Sequence, residues 1–375
     1  MILRGSRGEV RLRVAAMGDV AVLGRARARA RREGFDALFG AVAPRLRAAD
    51  LGFANLEFPI AEPGWVRAGR APEFWHDAEV AAALVRAGVR VVSLANNHMM
   101  DCGEPGLART LESCAAAGLE TVGAGRTLED ACRPAQFDLG GRRVVVLAYA
   151  SATDDAARPA RGGVAPLDPE RLRLDLERWR PQADDLIVSV HWGSMYVDYP
   201  PPRVLELANR LEALGADLVL GHHPHVTQGW RARGRTLILF SLGDIVLDPA
   251  SGDFEAAVAR EVRRDTGVFT VTLAEESGLE LEPCLLDPDG IPRPADPQRA
   301  AAAGERMARL NAGLGQGAER FRRESAPDLL RYELESLGAY LRAGRFGRAL
   351  RLLMAVRPRH LPMIWHALFG GLRRG

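Results

Sequence analysis

The sequence predicts an α/β protein in which helices cover a system of mixed β-sheets. Apolar strand-like runs alternate with segments of helical spacing along most of the chain. Two hairpins, within 136–148 and 268–286, add antiparallel strands. Several apolar runs are followed directly by Asp, Asn, Glu or His. Open α/β sheets place their functional sites at this position, the carboxyl ends of their strands. These three observations predict polar site residues gathered at the carboxyl edge of mostly parallel strands.

In the first part of the chain, breakers separate the expected elements. We expect Gly18-Asp19 to end the first strand, Pro44 to interrupt the first helix and Gly118 to stop a later helix. The expected elements, in order, are strand Arg11–Met17, helix Asp36–Ala49, the apolar run Leu51–Ala54, helix Ala78–Ala87, strand Val89–Leu94, helix Pro105–Ala117, and the hairpin Gln136–Leu139 with Arg142–Ala148.

The second part continues the alternation and then changes composition. We assign residues 11–287 to one domain, 288–297 to a Pro- and Asp-rich linker, and 298–375 to a helical, Arg-rich region. The expected elements are helix Asp168–Arg180, strand Leu186–Val190, helix Pro202–Leu214, strands Leu218–Leu220 and Leu237–Phe240, the hairpin Val268–Leu273 with Leu279–Leu286, and helices Gln298–Gly315 and Asp328–Leu341.

Bulk composition excludes some function classes. The 375 residues carry a formal net charge of only +2, so we expect no nucleic-acid partner. The sequence contains no lysine, which excludes Schiff-base and P-loop lysine mechanisms. Its four cysteines form no C-x-x-C pair and suit a reducing compartment. Because residues 1–10 lack an apolar signal core and no run could span a membrane, we expect a cytoplasmic location.

One loop concentrates the chemistry. The apolar run 216–220 leads into Gly221-His222-His223-Pro224-His225, and a core does not easily accommodate so many imidazoles. Neutral imidazole is a common ligand of zinc, iron and manganese. A surface turn with a few histidines is the alternative interpretation.

Other strand ends present the same kinds of residue. Asp, Glu, Asn and His together suit one or two divalent ions of zinc, manganese or iron, which can supply a metal-bound hydroxide as nucleophile. Taken alone, Asp19 is also compatible with a cap or turn residue, and Asn96 is expected to be one. The residues of metal-ligand or acid/base type at these ends are Asp19, Asn55 and Glu57, Asn97 and His98, His191, and His223 and His225, with His222 and Asp244 as further polar residues of the same loops.

The order of these motifs resembles the CapA family, which is named for capsule and poly-γ-glutamate synthesis proteins. The resemblance covers about residues 12–287 and implies an α/β/β/α sandwich of the calcineurin-like metallophosphoesterase type, here with a C-terminal helical appendage. The motifs that carry it are Gly18-Asp19, Asn55-Leu56-Glu57, Ser93-Leu94-Ala95-Asn96-Asn97-His98 with Asp101 and Gly103, His191-Trp192-Gly193, Gly221-His222-His223-Pro224-His225-Val226, and Ser241-Leu242-Gly243-Asp244.

The phosphoesterase pattern implies a role for each candidate. Asp19 and His225 would bind a first metal, and Glu57 would bridge to a second. The second metal would also be bound by Asn97, His191 and His223. His98 would donate a proton, and Asp101 is assigned with it as catalytic. His222 would be a neighbour that supports the ligands or faces the substrate.

The chain also departs from the pattern. Ala21 stands where phosphoesterases have a first-metal histidine, so the number of metals, one or two, stays open. Met195 and Asp244 replace residues that are usually Glu and Asn in the family. Asp244 adds a carboxylate close to the expected site.

The C-terminal stretch 342–375 has eight arginines and no acidic residue. A basic amphipathic helix of this kind could lie on the inner face of a membrane, or it could pack on its own domain with a solvated arginine face. Both interpretations stay open.

Two functions are compatible with these residues. The first is a metal-dependent, phosphoesterase-like hydrolase linked to capsule, poly-γ-glutamate or related polymer biosynthesis. The second is a non-catalytic, metal-binding accessory protein that binds an anionic polymer. The substrate would therefore be a small molecule or an anionic polymer.

Overall fold

The computed structural model describes residues 1–68, 70, 74–151, 154–248, 265–325 and 337–338. The helix expected at 328–341 and the basic region 342–375 lie outside the described residues, apart from 337–338. Among the described segments, no helix has both the length and the apolar character needed to cross a membrane.

The first large sheet is built around two adjacent parallel strands, β2 (Leu12–Ala21) and β3 (Leu51–Leu56). Strands β4 (Val91–Ser93) and β5 (Glu120–Val122) follow in the same direction. On the other side of β2, the hairpin of β15 (Asp265–Leu273) and β16 (Gly278–Leu286) extends the sheet with antiparallel pairing. Its strands, in spatial order, are β1 (Ile2–Arg4), β16 (Gly278–Leu286), β15 (Asp265–Leu273), β2 (Leu12–Ala21), β3 (Leu51–Leu56), β4 (Val91–Ser93) and β5 (Glu120–Val122), with β14 (Asp244–Leu247) on β2 and β17 (Pro292–Pro294) on β16.

The second large sheet has a parallel centre and antiparallel edges. Its four inner strands run parallel, so their carboxyl ends also meet at one edge. In spatial order it contains β12 (Trp230–Arg233), β13 (Thr236–Leu239), β11 (Leu218–His222), β10 (Asp185–His191), β8 (Arg142–Ala150) and β7 (Ala135–Leu139); β6 (Ala124–Gly125) and β9 (Gly163–Val164) pair separately. The predicted hairpins are confirmed as β7–β8 and β15–β16.

Alternating side chains of β8 show how the layers stack. Val144, Val146 and Ala148 join the core that includes the first sheet, whereas Val145 and Leu147 join a separate core beneath two helices. Helices therefore cover the outer faces, and the α/β/β/α sandwich is confirmed. The helices are α1 (Gly24–Glu33), α2 (Ala43–Arg47), α3 (Glu79–Ala87), α4 (Gly103–Ala117), α5 (Leu128–Ala131), α6 (Pro169–Trp179), α7 (Pro202–Ala213), α8 (Pro297–Gly313) and α9 (Gly317–Arg320).

The first strand is longer than predicted. Gly18-Asp19 does not end it; β2 shifts its register on β3 between Ala16 and Asp19 and continues to Ala21. A Cβ on Gly18 would stand 1.8 Å from the carbonyl oxygen of Gly243, so this glycine allows close backbone approach inside the sheet. The expectation of a strand break was therefore wrong.

Two other expectations change in detail. The helix expected at 36–49 is a 3₁₀ turn, Phe35–Leu38, followed by α2, and Pro44 lies in the first turn of α2, where proline is tolerated. Within the expected linker 288–297, β17 pairs with β16 and α8 then begins at Pro297.

Candidate metal centre

The two sheets bring their carboxyl edges together at the predicted site. Asp19 lies in β2, and His222 is the last residue of β11 in the other sheet. The imidazole Nδ1 of His222 is 2.8 Å from Oδ1 of Asp19, so the contact joins the two sheets directly. Gly221, just before His222, allows close approach within the second sheet, because a Cβ there would stand 2.1 Å from the carbonyl oxygen of Phe240.

One group of potential ligands is formed by Asp19, Glu57 and His225. One ligand atom from each lies within 4.8 Å of the others, and all three side chains are buried. Asn55 lies between the carboxylates: its Nδ2 donates to Asp19 at 2.9 Å and to Glu57 at 2.6 Å. The amide of Asn55 therefore bridges the carboxyl groups of Asp19 and Glu57.

Asp244 and His222 contact the ligands of this group. Nδ1 of His225 is 2.7 Å from Oδ1 of Asp244, and the backbone N–H of His223 donates to Asp19 at 3.2 Å. These contacts fix the orientation of the carboxylate of Asp19 and of the imidazole of His225, as hydrogen-bond partners of metal ligands commonly do. The structure thus places Asp244 and His222 beside the candidate ligands, in contact with them.

A second group continues from Glu57. Its Oε1 lies 3.7 Å from Nε2 of His191, and the same nitrogen is 2.7 Å from Oδ1 of Asn97. The rings of His191 and His223 lie 4.8 Å apart, centroid to centroid. Glu57 therefore borders both groups, the position implied for a bridging carboxylate.

His98 and Asp101 form a pair at the edge of this cluster. Nδ1 of His98 is 2.8 Å from Oδ2 of Asp101, and the centroid of its ring lies 4.7 Å from that of Phe58 and 5.0 Å from that of Phe74. Asp101 is fully buried, and its other oxygen is 3.0 Å from Nε of Arg70. The side chain of His98 keeps 13% exposure, so solvent still reaches part of it.

The carboxylates of the site respond differently to burial. Burial tends to raise the pKa of Asp19, but the hydrogen bond and charge of His222 and the charge of His225 hold it below its ordinary value. Burial and then the charge of Asp19 raise the pKa of Glu57 well above its ordinary range. Burial also raises the pKa of Asp244, against the effect of His225.

The pKa values of three histidines of the site shift in different directions. Burial and then nearby imidazoles, His223 first, lower the pKa of His191, and burial and then the charge of His225 lower the pKa of His223 to about 3. Burial opposes the charged form of His225, yet the surrounding carboxylates, Asp244 first, raise its pKa to about 10. The first two imidazoles thus retain the lone pairs that metal binding requires.

The donor atoms fit a divalent cation. Within the described residues, several buried polar atoms of the cluster have no hydrogen-bond partner: Oε1 of Glu57, Nδ1 of His191, Nε2 of His222 and Nδ1 of His223. Such atoms are costly to bury unless something binds them. Carboxylate, amide and imidazole donors together suit manganese, zinc or iron.

The wall beside Ala21 is apolar. Ala21 packs in a small buried cluster with Leu23, Phe58, Tyr196 and Val226, and Met195 lies against it. Ala21 itself therefore offers no ligand atom to the first group, at the position where the resemblance implied a histidine.

Sequence reasoning assigned no role to Asn55 and did not name Arg70 or Tyr196. Asn55 had a signal, because it belongs to the Asn55-Leu56-Glu57 motif and stands two residues before Glu57, where alternate strand residues share a face. Arg70 and Tyr196 had none, because only the folded chain brings Arg70 to Asp101 and places the Tyr196 ring 5.7 Å from that of His225. Each of the predicted ligands lies in the cluster, as does the His98–Asp101 pair at its edge.

Comparison with known proteins identifies the family and several relatives. Residues 13–249 match the sequence profile described as "Bacterial capsule synthesis protein PGA_cap". The chain is 31% identical to the PGA biosynthesis protein CapA of Bacillus subtilis, over 64% of this chain and 65% of that protein. It is 29% identical to the capsule biosynthesis protein CapA of Bacillus anthracis, over 68% and 65% respectively. It is 35% identical to a probable polyglutamine synthesis accessory protein of Mycobacterium tuberculosis, over 54% and 56%. The match thus spans less than two thirds of each of these relatives.

Solved structures give weaker similarities. A 5'-nucleotidase precursor from Thermus thermophilus has a TM-score of 0.46 and 17% identity, over 80% of this chain and 59% of that one. A hypothetical protein from the same organism has a TM-score of 0.45 and 19% identity, over 72% and 98%. Both TM-scores are too low to assign an activity.

Proposed function

Since the chain belongs to the family of bacterial capsule synthesis proteins described as PGA_cap, we propose that it is a metal-dependent, phosphoesterase-like hydrolase of capsule, poly-γ-glutamate or related polymer biosynthesis. The observation that supports this proposal is the buried cluster of Asp19, Glu57 and His225, continued by His191 and lying beside a His98–Asp101 pair. A structural core alone does not need so many uncompensated donor atoms.

The chain offers two adjoining sets of ligands. Asp19, Glu57 and His225 would hold one cation, and Asn97, His191 and His223 would hold another, with Glu57 shared between them. When bound, a divalent cation supplies Lewis-acid polarisation and lowers the pKa of water. The remaining tasks belong to the side chains of the site.

His98 is suited to protonate the leaving group. In the imidazolium form, the Nδ1 proton of His98 is hydrogen-bonded to Asp101. The Nε2 proton can then pass to the oxygen that leaves when the P–O bond breaks. Water supplies the group that bonds to phosphorus, and the proton lost by this water restores the imidazolium. The rings of Phe58 and Phe74 pack beside the imidazole and restrict its movement.

Basic groups beside this pair favour an anionic substrate. Arg67 and Arg70 both contact the buried carboxylate of Asp155, at 2.9 and 2.8 Å, and each keeps about a third of its side chain exposed. Arginine suits planar recognition of carboxylate or phosphate. Either an anionic small molecule or an anionic polymer would meet these guanidinium groups next to His98.

Turnover and metal content together test the proposal. With a dialkyl phosphate as the probe, since its alkoxide leaving group needs a proton, and manganese as the metal, His98→Asn should lower kcat by about 10²–10⁴-fold, because the general acid is lost. Its metal content should stay unchanged, since Asn can still donate to Asp101. His223→Ala and Glu57→Ala should lose metal. Equal turnover of His98→Asn and the wild type would contradict the assignment.

A second candidate function is a non-catalytic, metal-binding accessory protein that binds an anionic polymer. The apolar wall at Ala21, which removes one donor, favours it, as does the name of the mycobacterial relative. This alternative predicts metal-dependent binding of poly-γ-glutamate that survives His98→Asn, without hydrolysis of any phosphoester.

We also propose a cytoplasmic location for this protein, and that the arginine-rich residues 342–375 contact the inner face of the membrane. Sedimentation of the full chain with anionic vesicles tests this contact, and removal of 342–375 should abolish it.

A further inference from the structure

The helix α8 lies beyond the region that matches the family profile, 13–249, yet it contacts loops that lead to the metal centre. It packs against two loops that carry candidate site residues. The first, 192–201, follows β10 and includes Tyr196; the second, 223–229, follows β11 and includes His223 and His225. Buried Met307 and Leu310 anchor the helix in the main core.

One side chain of α8 binds both loops at once. Nη1 of Arg306 donates to the carbonyl oxygen of Thr227 at 2.8 Å and to its Oγ1 at 2.7 Å. Nη2 of Arg306 donates to Oδ1 of Asp198 at 2.5 Å. The arginine side chain is only 11% exposed, so these charge-assisted bonds form in a largely dehydrated setting.

The loops that Arg306 joins contain strained backbone. Among the described residues, the non-glycine positions with left-handed φ are Tyr196 at 60°, His223 at 94° and His225 at 55°. Such conformations cost about 1–3 kcal/mol each and persist only when the surroundings enforce them. All of them lie in these two loops, and two are candidate metal ligands.

Other contacts also join the two loops, among them the rings of Tyr196 and His225 with centroids 5.7 Å apart. The backbone N–H of Tyr196 donates to the carbonyl oxygen of Pro224 at 2.8 Å, and Nε2 of Gln228 donates to that of Val197 at 2.8 Å. Arg306 adds a clamp fixed to a rigid helix, which none of these contacts provides. Its loss would let the second loop relax toward ordinary φ values and move His223 and His225.

We propose that Arg306 is a positioning residue of the metal centre, so that α8 is a functional part of the site. It acts through Thr227 and Asp198 on the loops that hold His223 and His225. This inference rests on the metal-binding part of the proposed function and is independent of whether the site hydrolyses phosphoesters.

Cobalt titration tests the inference without any assay of turnover. Co²⁺ gives visible absorption bands whose position and intensity report the ligand geometry. We expect Arg306→Met to weaken Co²⁺ binding by about 10–100-fold, the usual effect of losing a group that orients metal ligands, and to alter the bands. Arg306→Lys can make fewer of these bonds and should give an intermediate affinity.

Arg309→Met is the matched control. Arg309 lies on the same helix, is 64% exposed, and its guanidinium is 4.0 Å from the same Asp198. Its loss removes the same charge and leaves the contacts with Thr227 intact, so affinity and spectrum should equal those of the wild type. If Arg306→Met does not fold, Asp198→Asn replaces it; its side chain is 39% exposed, and we expect weaker binding with an unchanged Tm.

The outcomes separate the two proposals. Wild-type affinity and spectrum in both Arg306→Met and Asp198→Asn would overturn the role of Arg306 and leave the proposed function intact. Failure of the wild type to bind Co²⁺, Mn²⁺ or Zn²⁺ would overturn both. An equal loss of affinity in Arg309→Met would show a general charge effect and would also overturn the clamp.

Discussion

His76 should make the stability of this protein fall in mild acid, and His76→Gln should remove that effect. The imidazole is fully buried, and its Nε2 accepts the backbone N–H of Val22 at 3.0 Å. A proton on Nε2 would point at that N–H group and remove the acceptor of this hydrogen bond. Burial and then the charge of Arg27 lower the pKa of His76 to about 3, from an ordinary value of 6.5.

The sign follows from which state binds the proton. Above pH 6.5 His76 is neutral in both the folded and the unfolded chain, and it contributes no pH dependence. Between pH 6.5 and about 3 only the unfolded chain is protonated there, so the free energy of unfolding falls as the pH falls. At about 1.36 kcal/mol per unit, the loss by pH 5 is about 2 kcal/mol.

Urea unfolding at pH 7 and pH 5, with EDTA in all samples, measures this loss. The amide oxygen of Gln can replace Nε2 as the acceptor and does not titrate. We expect the stability difference between wild type and His76→Gln to shrink by about 2 kcal/mol between the two pH values. Shifts at the other buried histidines cancel, because both proteins contain them. The same difference at both pH values would refute the reasoning.

Two further predictions concern the site and the sheet that carries it. Asn55→Ala removes the amide that joins two buried carboxylates and should weaken Mn²⁺ binding by about 10–100-fold in calorimetric titration; an unchanged affinity would contradict this. Gly18→Ala puts a Cβ 1.8 Å from the carbonyl oxygen of Gly243 and should cost about 3 kcal/mol or more in urea unfolding. Gly315→Ala, which meets nothing within 4 Å, is its control, and similar costs would argue against steric conflict.

Much of the order of helices and strands along the chain was predictable because hydrophobic runs and breakers are local signals. The α6 helix begins where Asp168 caps it and α4 ends at Gly118 in a left-handed conformation, both as the sequence indicates. The extent of β2 was not predictable. Glycine in a strand pattern indicates a break, and only the approach of Gly243 from another part of the chain shows that Gly18 serves packing instead.

The site shows the same division. Its candidate ligands could be named from sequence because parallel strands place their carboxyl ends at one edge. The contacts that orient them could not, since they join residues far apart in the chain. Arg306 contacts Thr227 across 79 positions, and no local pattern marks an arginine on an amphipathic helix as different from its neighbours.

Ligand chemistry differs between the two halves of the cluster, and this difference bears on which metals bind. Around His225 lie the buried carboxyl groups of Asp19, Glu57 and Asp244, and these groups, Asp244 first, raise the pKa of that imidazole to about 10 against the effect of burial. A cation bound there would displace the proton and take over its role in balancing charge. Around His191 the donors are neutral imidazole and amide. Because oxygen-rich sites favour harder ions and imidazole sites favour borderline ones, we expect the half at Asp19 and His225 to prefer manganese and the half at His191 to prefer zinc or iron.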